Sequence, residues 1–177
     1  MFHLLIGYES SQITMLTMYG GQRLELVRLL PRALYPGLRV AVVDNYQGEE
    51  NDIIVLSLVR SNAQGNLGFV KTQNRILVSL SRARHGLFVL ANLEMLTAHC
   101  NEWNAVLREL RAIERETGRP LIGDAFTFRC QNHPNRVTLL KAPEDLKNCP
   151  DGTNNRLCTM FFCSMFFCVQ CFFAQRI

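Results

Sequence analysis

The chain has 177 residues, of which 48% are hydrophobic and 19% charged. This length predicts one domain, or one domain with an appendage, and the apolar fraction excludes a wholly disordered chain. The 19 Lys and Arg against 15 Asp and Glu leave a net charge of +4, which alone does not indicate a nucleic-acid partner. Sixteen of the 19 cations are Arg, the side chain that binds phosphate through two parallel hydrogen bonds.

The seven Cys residues are unevenly distributed, with none before Cys100 and five between residues 149 and 171. An odd and uneven number of Cys argues against a secreted disulfide scaffold. The first eight residues have neither a basic segment nor a small-residue cleavage site, so we expect no signal peptide. We therefore expect an intracellular protein, cytoplasmic or nuclear.

Four short apolar runs, at 12–18, 39–43, 52–59 and 86–91, predict four strands. The runs at 39–43 and 52–59 are almost continuously apolar, as is typical of strands that are covered on both faces. Helical spacing of apolar residues predicts a helix after the first strand (Leu24, Val27, Leu30, Leu34) and one before the fourth (Ile76, Leu77, Leu80, Ala83).

After the fourth strand, Asn92 is a candidate helix cap, and a long amphipathic helix is predicted through residues 103–113. Gly118 and Pro120 predict its end. Strands that alternate with helices predict an α/β fold with a parallel sheet. Polar clusters at 19–22, 44–50 and 60–62 follow the first three strands, so we expect one shared site at the carboxyl edge of the sheet.

The segment 44–52 reads Asp-Asn-Tyr-Gln-Gly-Glu-Glu-Asn-Asp. Gly48 lets the backbone approach a ligand closely, a neighbouring carboxylate can accept hydrogen bonds from ribose hydroxyls, and Gln47 can both donate and accept. The same segment is also compatible with an ordinary polar turn that binds nothing.

The segment 74–84 places Arg75 and Arg82 seven residues apart, which predicts that they lie on nearly one face of a helix. Arg82, near the end of that helix, could present its guanidinium to a phosphoryl group in a cleft. The alternative is a solvated basic face.

Residues 42–62 followed by 74–86 resemble motifs V and VI of superfamily 1 helicases, in the Upf-like branch. Residues 16–22 resemble the Thr-Pro-Tyr-x-x-Gln motif that precedes them in that family, and the resemblance covers roughly residues 5–117. The sequence of residues 46–54 is similar to that of the large helicases that end in an NFX-type zinc-finger array. Cys130-Gln-Asn-His133-Pro134 is similar to the first residues of that array.

The resemblance implies the second RecA-like domain of a two-domain motor, a P-loop NTPase-type parallel sheet sandwiched by helices and here incomplete. ATP and Mg²⁺ would lie in the cleft facing the first RecA-like domain, and a single strand of RNA or DNA would cross both domains. The family leans toward RNA and toward RNA silencing.

The resemblance also implies roles for individual residues. Arg82 would stabilise the γ-phosphate in the transition state, Glu50 would bond the ribose, and Gln47 and Gly48 would line the nucleotide site. Nucleic-acid contacts are assigned by position only (Thr17, Tyr19, Ser61). Asp44 is interpreted as structural.

The sequence departs from the family in what it lacks. It contains no Gly-x-x-x-x-Gly-Lys-Ser/Thr phosphate loop, no acidic run after an apolar strand that would hold Mg²⁺, and no first RecA-like domain. Met18 replaces the usual Pro, and Ser81 replaces the usual Thr but keeps the hydroxyl. We therefore expect that this chain alone does not hydrolyse ATP. A non-catalytic nucleic-acid- or protein-binding fragment and a tail-anchored or zinc-binding interaction protein are the alternatives.

We divide the chain into a partial helicase domain (1–120), a linker that begins a zinc-finger-like segment (121–150) and a Phe/Cys-rich tail (151–177). The uncharged stretch 157–174 could be a tail anchor, a zinc-binding stub or sequence never selected to fold, and we expect the last, an irregular tail without a membrane partner. Cys130 and His133 are candidate zinc ligands, but structural zinc takes four, so we expect no zinc.

Overall fold

The computed structural model describes residues 8–59, 62, 64–118 and 121–123, together with the backbone of four strands further along. Strands and helices alternate over the first part, in the order β1 (Ile13–Thr17), α1 (Gly20–Leu29), β2 (Arg39–Val42), β3 (Asn51–Ser57), α2 (Gln73–Leu80), β4 (Ala83–Leu90), α3 (Leu93–His99) and α4 (Asn101–Thr117). Three single-turn 3₁₀ helices occupy Ser10–Gln12, Val43–Asn45 and Gly68–Lys71. The remaining strands are β5 (Ile122–Gly123), β6 (Phe126–Cys130), β7 (His133–Leu140), β8 (Met160–Phe161) and β9 (Phe166–Cys168).

The main sheet has the strand order β2-β1-β3-β4-β9-β5, and all its pairs are parallel. Its central pair is β3 beside β4, in a register that pairs Leu56 with Val89, and β1 lies on the other side of β3, with Leu16 opposite Leu56. The predicted α/β fold with a parallel sheet covered by helices is confirmed. Helices α1 and α2 are the crossovers that parallel neighbours require.

Alternate residues of the central strands supply two apolar cores, one on each face of the sheet. Ile54 and Leu56 of β3 belong to the larger core, which α2, α3 and α4 cover. Ile53 and Val55 point the other way, into a smaller core against α1. Because successive side chains of a strand alternate between faces, one apolar run supplies both cores.

Helix α1 differs from the predicted helix in both its length and its buried face. It ends at Leu29, because Leu30 precedes Pro31 and is held out of the helical region at φ −119°, ψ 68°. Leu26 and Leu30 pack against the smaller core, whereas Leu24 and Leu34 are 66% and 69% exposed. Of the four residues whose spacing predicted the buried face, Leu30 packs against a core, whereas the other three are exposed, Val27 at 45%.

The other helix boundaries are close to those predicted. The Asn92 side chain accepts a hydrogen bond from the Met95 amide at 3.0 Å, which confirms the predicted cap of α3. Cys100 separates α3 from α4, and Gly118 ends α4 in the left-handed conformation, at φ +65°. Ala83 belongs to β4 and not to the helix before it.

Strands β6, β7 and β8 form a second sheet in the order β7-β6-β8. The boundaries proposed at 120 and 150 stay a prediction, as does the interpretation of the tail, most of which lies outside the described residues. Within the described part of the chain no helix is long and apolar enough to cross a membrane. That part also contains no group of three or more His, Cys, Asp or Glu side chains placed to hold a metal ion.

Candidate functional site

The polar clusters do not form one shared site at the carboxyl edge of the sheet, and that expectation is wrong. Thr17 and Ser57 end β1 and β3 at the carboxyl edge, but Glu50 and Arg82 immediately precede β3 and β4 at the amino edge. The segment between β2 and β3 has to return along the sheet because both strands run in the same direction. The seven residues of β3 separate the two edges by about 20 Å.

Arg82 is half-buried at the amino edge and is held by several acceptors. Its Nε donates to the Val78 carbonyl oxygen at 3.0 Å, its Nη1 to the Glu49 carbonyl oxygen at 3.3 Å and its Nη2 to Ser81 Oγ at 2.7 Å. Its own carbonyl oxygen accepts from the Asn51 amide at 3.2 Å. The loop between α2 and β4 is thus tied to the start of β3, and the guanidinium has a fixed position.

The carboxylates beside Arg82 are paired with other cations. Glu50 is exposed and lies 3.5 Å from Nη1 of Arg84, whose Nη2 contacts Asp52 at 2.9 Å. Glu49 forms an ion pair with Arg39. Surface ion pairs of this kind contribute little to stability, so the Glu50 side chain can exchange its partner at low cost.

Gln47 and Gly48 are exposed in the segment that precedes Glu50. Gly48 has φ +76°, and no atom outside its chain neighbours lies within 4 Å of the position that a Cβ would take. Tyr46 anchors this segment, because its side chain is 1% exposed and its hydroxyl lies 3.1 Å from Thr14 Oγ1. The exposed turn at Gly48 is therefore accessible to a ligand, and Tyr46 anchors it to the core.

The carboxyl edge carries a second cluster around Thr17 and Tyr19. Thr17 is fully buried, and its hydroxyl donates to Gln22 and accepts from the Tyr19 amide at 3.3 Å. Gln22 Nε2 in turn donates to Ser57 Oγ at 2.6 Å. Thr17 therefore positions the turn after β1 and does not itself reach the surface.

Tyr19 connects this turn to the 3₁₀ helix at Gly68–Lys71. Its hydroxyl donates to the Leu67 carbonyl oxygen at 3.0 Å and accepts from the Phe69 amide at 3.1 Å. The two rings lie 5.8 Å apart between centroids, and the Arg75 guanidinium lies 4.3 Å from the centroid of Phe69. The sequence analysis missed Phe69, although a phenyl ring next to a polar, Gly-rich loop was a usable signal.

Arg75 and Arg82 do not share one face of a helix, contrary to the prediction from the sequence, because only Arg75 lies in α2. The two side chains lie at opposite edges of the sheet. Arg75 is in the first turn of α2, and Arg82 lies beyond its end. The Arg75 Nε and Nη2 each donate to a carboxylate oxygen of Asp44 at 2.6 Å. These hydrogen bonds lower the pKa of Asp44 below its usual range, and Asp44 thereby holds the turn after β2.

Two further predictions fall on residues of which the structure says little or nothing. Ser61 lies outside the described residues, so its proposed contact with nucleic acid stays a prediction. For Cys130 and His133 the structure describes the backbone alone, and the register of β6 and β7 pairs these two positions.

Comparison with known proteins agrees with this architecture. The family model described as "AAA domain" matches residues 3–94. The mouse "NFX1-type zinc finger-containing protein 1" is 44% identical over 151 residues, which are 85% of this chain and 8% of the relative. The fission yeast "Helicase required for RNAi-mediated heterochromatin assembly 1" is 46% identical over 105 residues, 56% of this chain and 10% of the relative. The budding yeast "ATP-dependent helicase NAM7" is 39% identical over 111 residues, 59% of this chain and 11% of the relative.

The chain belongs to this AAA domain family, as a superfamily 1 helicase domain. It spans about a tenth or less of the length of the curated relatives it matches. The parallel sheet and its helices accordingly form a RecA-like α/β fold.

Proposed function

We propose that this chain is the second RecA-like domain of an ATP-dependent RNA or DNA helicase of the Upf-like branch, and that its amino edge contributes the arginine finger. The observation that carries the proposal is the placement of Arg82, half-buried and held by two carbonyl oxygens and a hydroxyl beside the exposed carboxylate of Glu50. A cation fixed in advance stabilises charge that develops in a transition state without a reorganisation cost.

The residues of the amino edge fit one side of a nucleotide. ATP, when bound, supplies the phosphoryl group that is transferred to water. Arg82 would compensate the charge on the γ-phosphate, and Glu50 would accept hydrogen bonds from ribose hydroxyls after leaving Arg84. Gln47 and the open backbone at Gly48 would line the remaining contact. Together they supply a cation and acceptors for a nucleotide.

The same chain does not supply the parts that hold the phosphates and the metal. Its sequence has no phosphate loop and no acidic run that follows an apolar strand. We infer that the first RecA-like domain supplies the phosphate loop and the Mg²⁺ ligands, and that this chain alone does not turn over ATP. Zinc is not required for this role.

Nucleic acid would bind at the carboxyl edge, about 20 Å from Arg82. Tyr19 is the residue of the assigned set that reaches this surface, Thr17 supports it from below, and Ser61 is assigned by sequence position. The relative named "Helicase required for RNAi-mediated heterochromatin assembly 1" favours RNA and a silencing pathway, and the relative named "ATP-dependent helicase NAM7" favours ATP-dependent helicase activity. The similarity to "NFX1-type zinc finger-containing protein 1" favours the branch with NFX-type zinc fingers.

The first test measures ATP hydrolysis by the purified chain with single-stranded RNA present. We expect no turnover above background, because one arginine without a phosphate loop cannot orient the nucleotide. Clear turnover that Arg82→Ala abolishes would contradict the proposed division of labour.

The second test joins this chain, in frame, to a domain of a relative that contains a phosphate loop. Arg82→Ala should then lower kcat by roughly 10³- to 10⁵-fold, the range typical of an arginine finger. Arg28→Ala is the matched control, because Arg28 is exposed on α1 and pairs with Glu25, and α1 packs on the opposite face of the sheet from α2, the helix that precedes Arg82. Equal activity of the Arg82 and Arg28 variants would refute the role of Arg82.

A further inference from the structure

Phe69 is an exposed aromatic ring on a backbone that is held rigidly. Its side chain is 53% exposed, although its neighbours Leu67 and Val70 are 3% and 0% exposed. An exposed phenyl ring offers apolar area that a bound ligand can bury favourably. The ring lies at the carboxyl edge, because Tyr19, which follows the carboxyl end of β1, is hydrogen-bonded to the backbone of Leu67 and Phe69.

Three hydrogen bonds from two buried or half-buried aromatic residues hold the backbone around this ring. The Tyr19 hydroxyl bonds both Leu67 and Phe69, at 3.0 and 3.1 Å. From the other side, Trp103 Nε1 donates to the Val70 carbonyl oxygen at 2.9 Å, and Trp103 is 2% exposed. The turn is thus fixed from β1 and from α4, and the exposed ring is held in place.

The surroundings of the ring are cationic. The Arg75 guanidinium lies 4.3 Å from its centroid and is itself oriented by the two hydrogen bonds to Asp44. Lys71, two residues beyond Phe69, is exposed. An exposed ring beside an oriented Arg and an exposed Lys matches a single strand, in which bases stack on aromatic side chains and phosphates pair with Arg and Lys.

We propose that Phe69 is a stacking platform for one base of the single strand, with Arg75 beside it to hold the ring and to contact the backbone of the strand. The inference rests on the proposed function, because it assigns a specific contact to the carboxyl edge, where nucleic acid is proposed to bind. Stacking is tolerant of sequence, since every base has a π face, so this contact adds affinity without choosing a sequence. Stacking on bases and the salt-dependent contacts with phosphates are therefore separate contributions to the binding affinity.

The test compares the binding of two labelled oligonucleotides to the full chain by fluorescence anisotropy. One is a short oligouridylate, and the other has the same sugar–phosphate backbone with abasic sites throughout. For the oligouridylate, Phe69→Ala should weaken binding roughly 5- to 150-fold, the range typical of one stacked base. For the abasic strand it should leave the affinity unchanged, and Phe69→Trp should retain the wild-type preference for bases.

Leu77→Ala is the matched control, because Leu77 is 59% exposed and lies on α2, close in sequence to Arg75. It should bind both strands like wild type. Arg75→Ala should weaken both strands and reduce the slope of affinity against salt concentration.

Three outcomes would overturn the proposal. If Phe69→Ala binds the oligouridylate as wild type does, the ring does not stack on bases and instead faces a protein surface. If Phe69→Ala weakens both strands equally, the ring acts by holding Arg75. If the wild-type chain binds neither strand even at low salt, the nucleic-acid role itself fails, and with it the proposed function.

Discussion

Val59 is the residue with the most strained backbone in the part of the chain that the structure describes. It has φ +62°, the left-handed region, and it is the single non-glycine residue there with a positive φ. A β-branched side chain is poorly tolerated in this conformation, which costs of order 1–3 kcal/mol. Val59 follows β3, at the point where the chain leaves the sheet, and leads into the connection that carries Phe69.

Replacement of Val59 by Asn is expected to stabilise the fold by roughly 1 kcal/mol, because Asn adopts the left-handed conformation much more readily. The measurement is the free energy of unfolding from urea titration. Val27→Asn is the control: Val27 is 45% exposed against 42% for Val59, but it lies within the helix α1. Asn is a poorer residue for a helix interior than for a turn. If both variants lose stability, the conformation of Val59 is not strained.

At the scale of elements, the Asp44–Arg75 pair joins the turn after β2 to the first turn of α2. Its two hydrogen bonds lower the pKa of Asp44, whose side chain is 47% exposed. A carboxyl whose folded pKa is depressed contributes stability at any pH above its unfolded value. That contribution is lost as the pH falls through the lower, folded pKa. The exposure keeps the contribution of the pair below about 1 kcal/mol.

Asp44→Asn is therefore expected to be less stable than wild type at neutral pH by an amount below about 1 kcal/mol. The difference should shrink as the pH falls below about 4, where the unfolded Asp becomes protonated. Urea titrations at neutral and acidic pH measure it, with Glu116→Gln on α4 as a control that removes another exposed carboxylate. A deficit of Asp44→Asn that grows toward acid pH would show the opposite sign and would refute the linkage.

The same element scale shows what the sequence predicts and what it does not. Continuous apolar runs identified β2 and β3 because strands covered on both faces need apolar side chains in both directions. The buried face of α1 was identified only at Leu30, because leucine is so frequent in that segment that several faces have helical spacing. Leu26 and Leu30 are the residues that pack against the core because they face the sheet, and the position of the sheet is tertiary information.

The edge of the sheet at which the candidate site lies also depends on tertiary information. Glu50 was expected at the carboxyl edge of the sheet with the rest of the segment 44–50, and that expectation is wrong. Arg82 was expected between a helix and the fourth strand, without an assigned edge, and it lies at the amino edge. A polar turn that follows one strand also precedes the next, and sequence order does not tell which end a side chain occupies. The register that pairs Asn51 with Ala83 decides it, since it sets both residues at the amino edge.

At the scale of the whole molecule, the candidate nucleotide residues and the candidate nucleic-acid residues lie on opposite edges of one rigid sheet. Arg82 and Phe69 are joined through β3 and α2, and no side chain in the described residues is shared between their hydrogen-bond sets. Sites separated by more than about 10 Å without shared partners act additively. The sheet can therefore transmit a rigid-body movement, but it does not couple the two sites through local contacts.

This separation predicts how Arg82→Ala affects oligonucleotide binding without nucleotide. At an ionic strength of about 0.15 M the Debye length is about 8 Å, so the loss of one charge about 20 Å away should leave affinity within roughly twofold of wild type. At about 0.01 M the Debye length is about 30 Å, and a modest weakening should appear. Phe69→Ala should show the reverse pattern, a loss that persists at both salt concentrations. A large loss of affinity for Arg82→Ala at the higher ionic strength would mean that the two edges are coupled, because screening removes the direct electrostatic route between them.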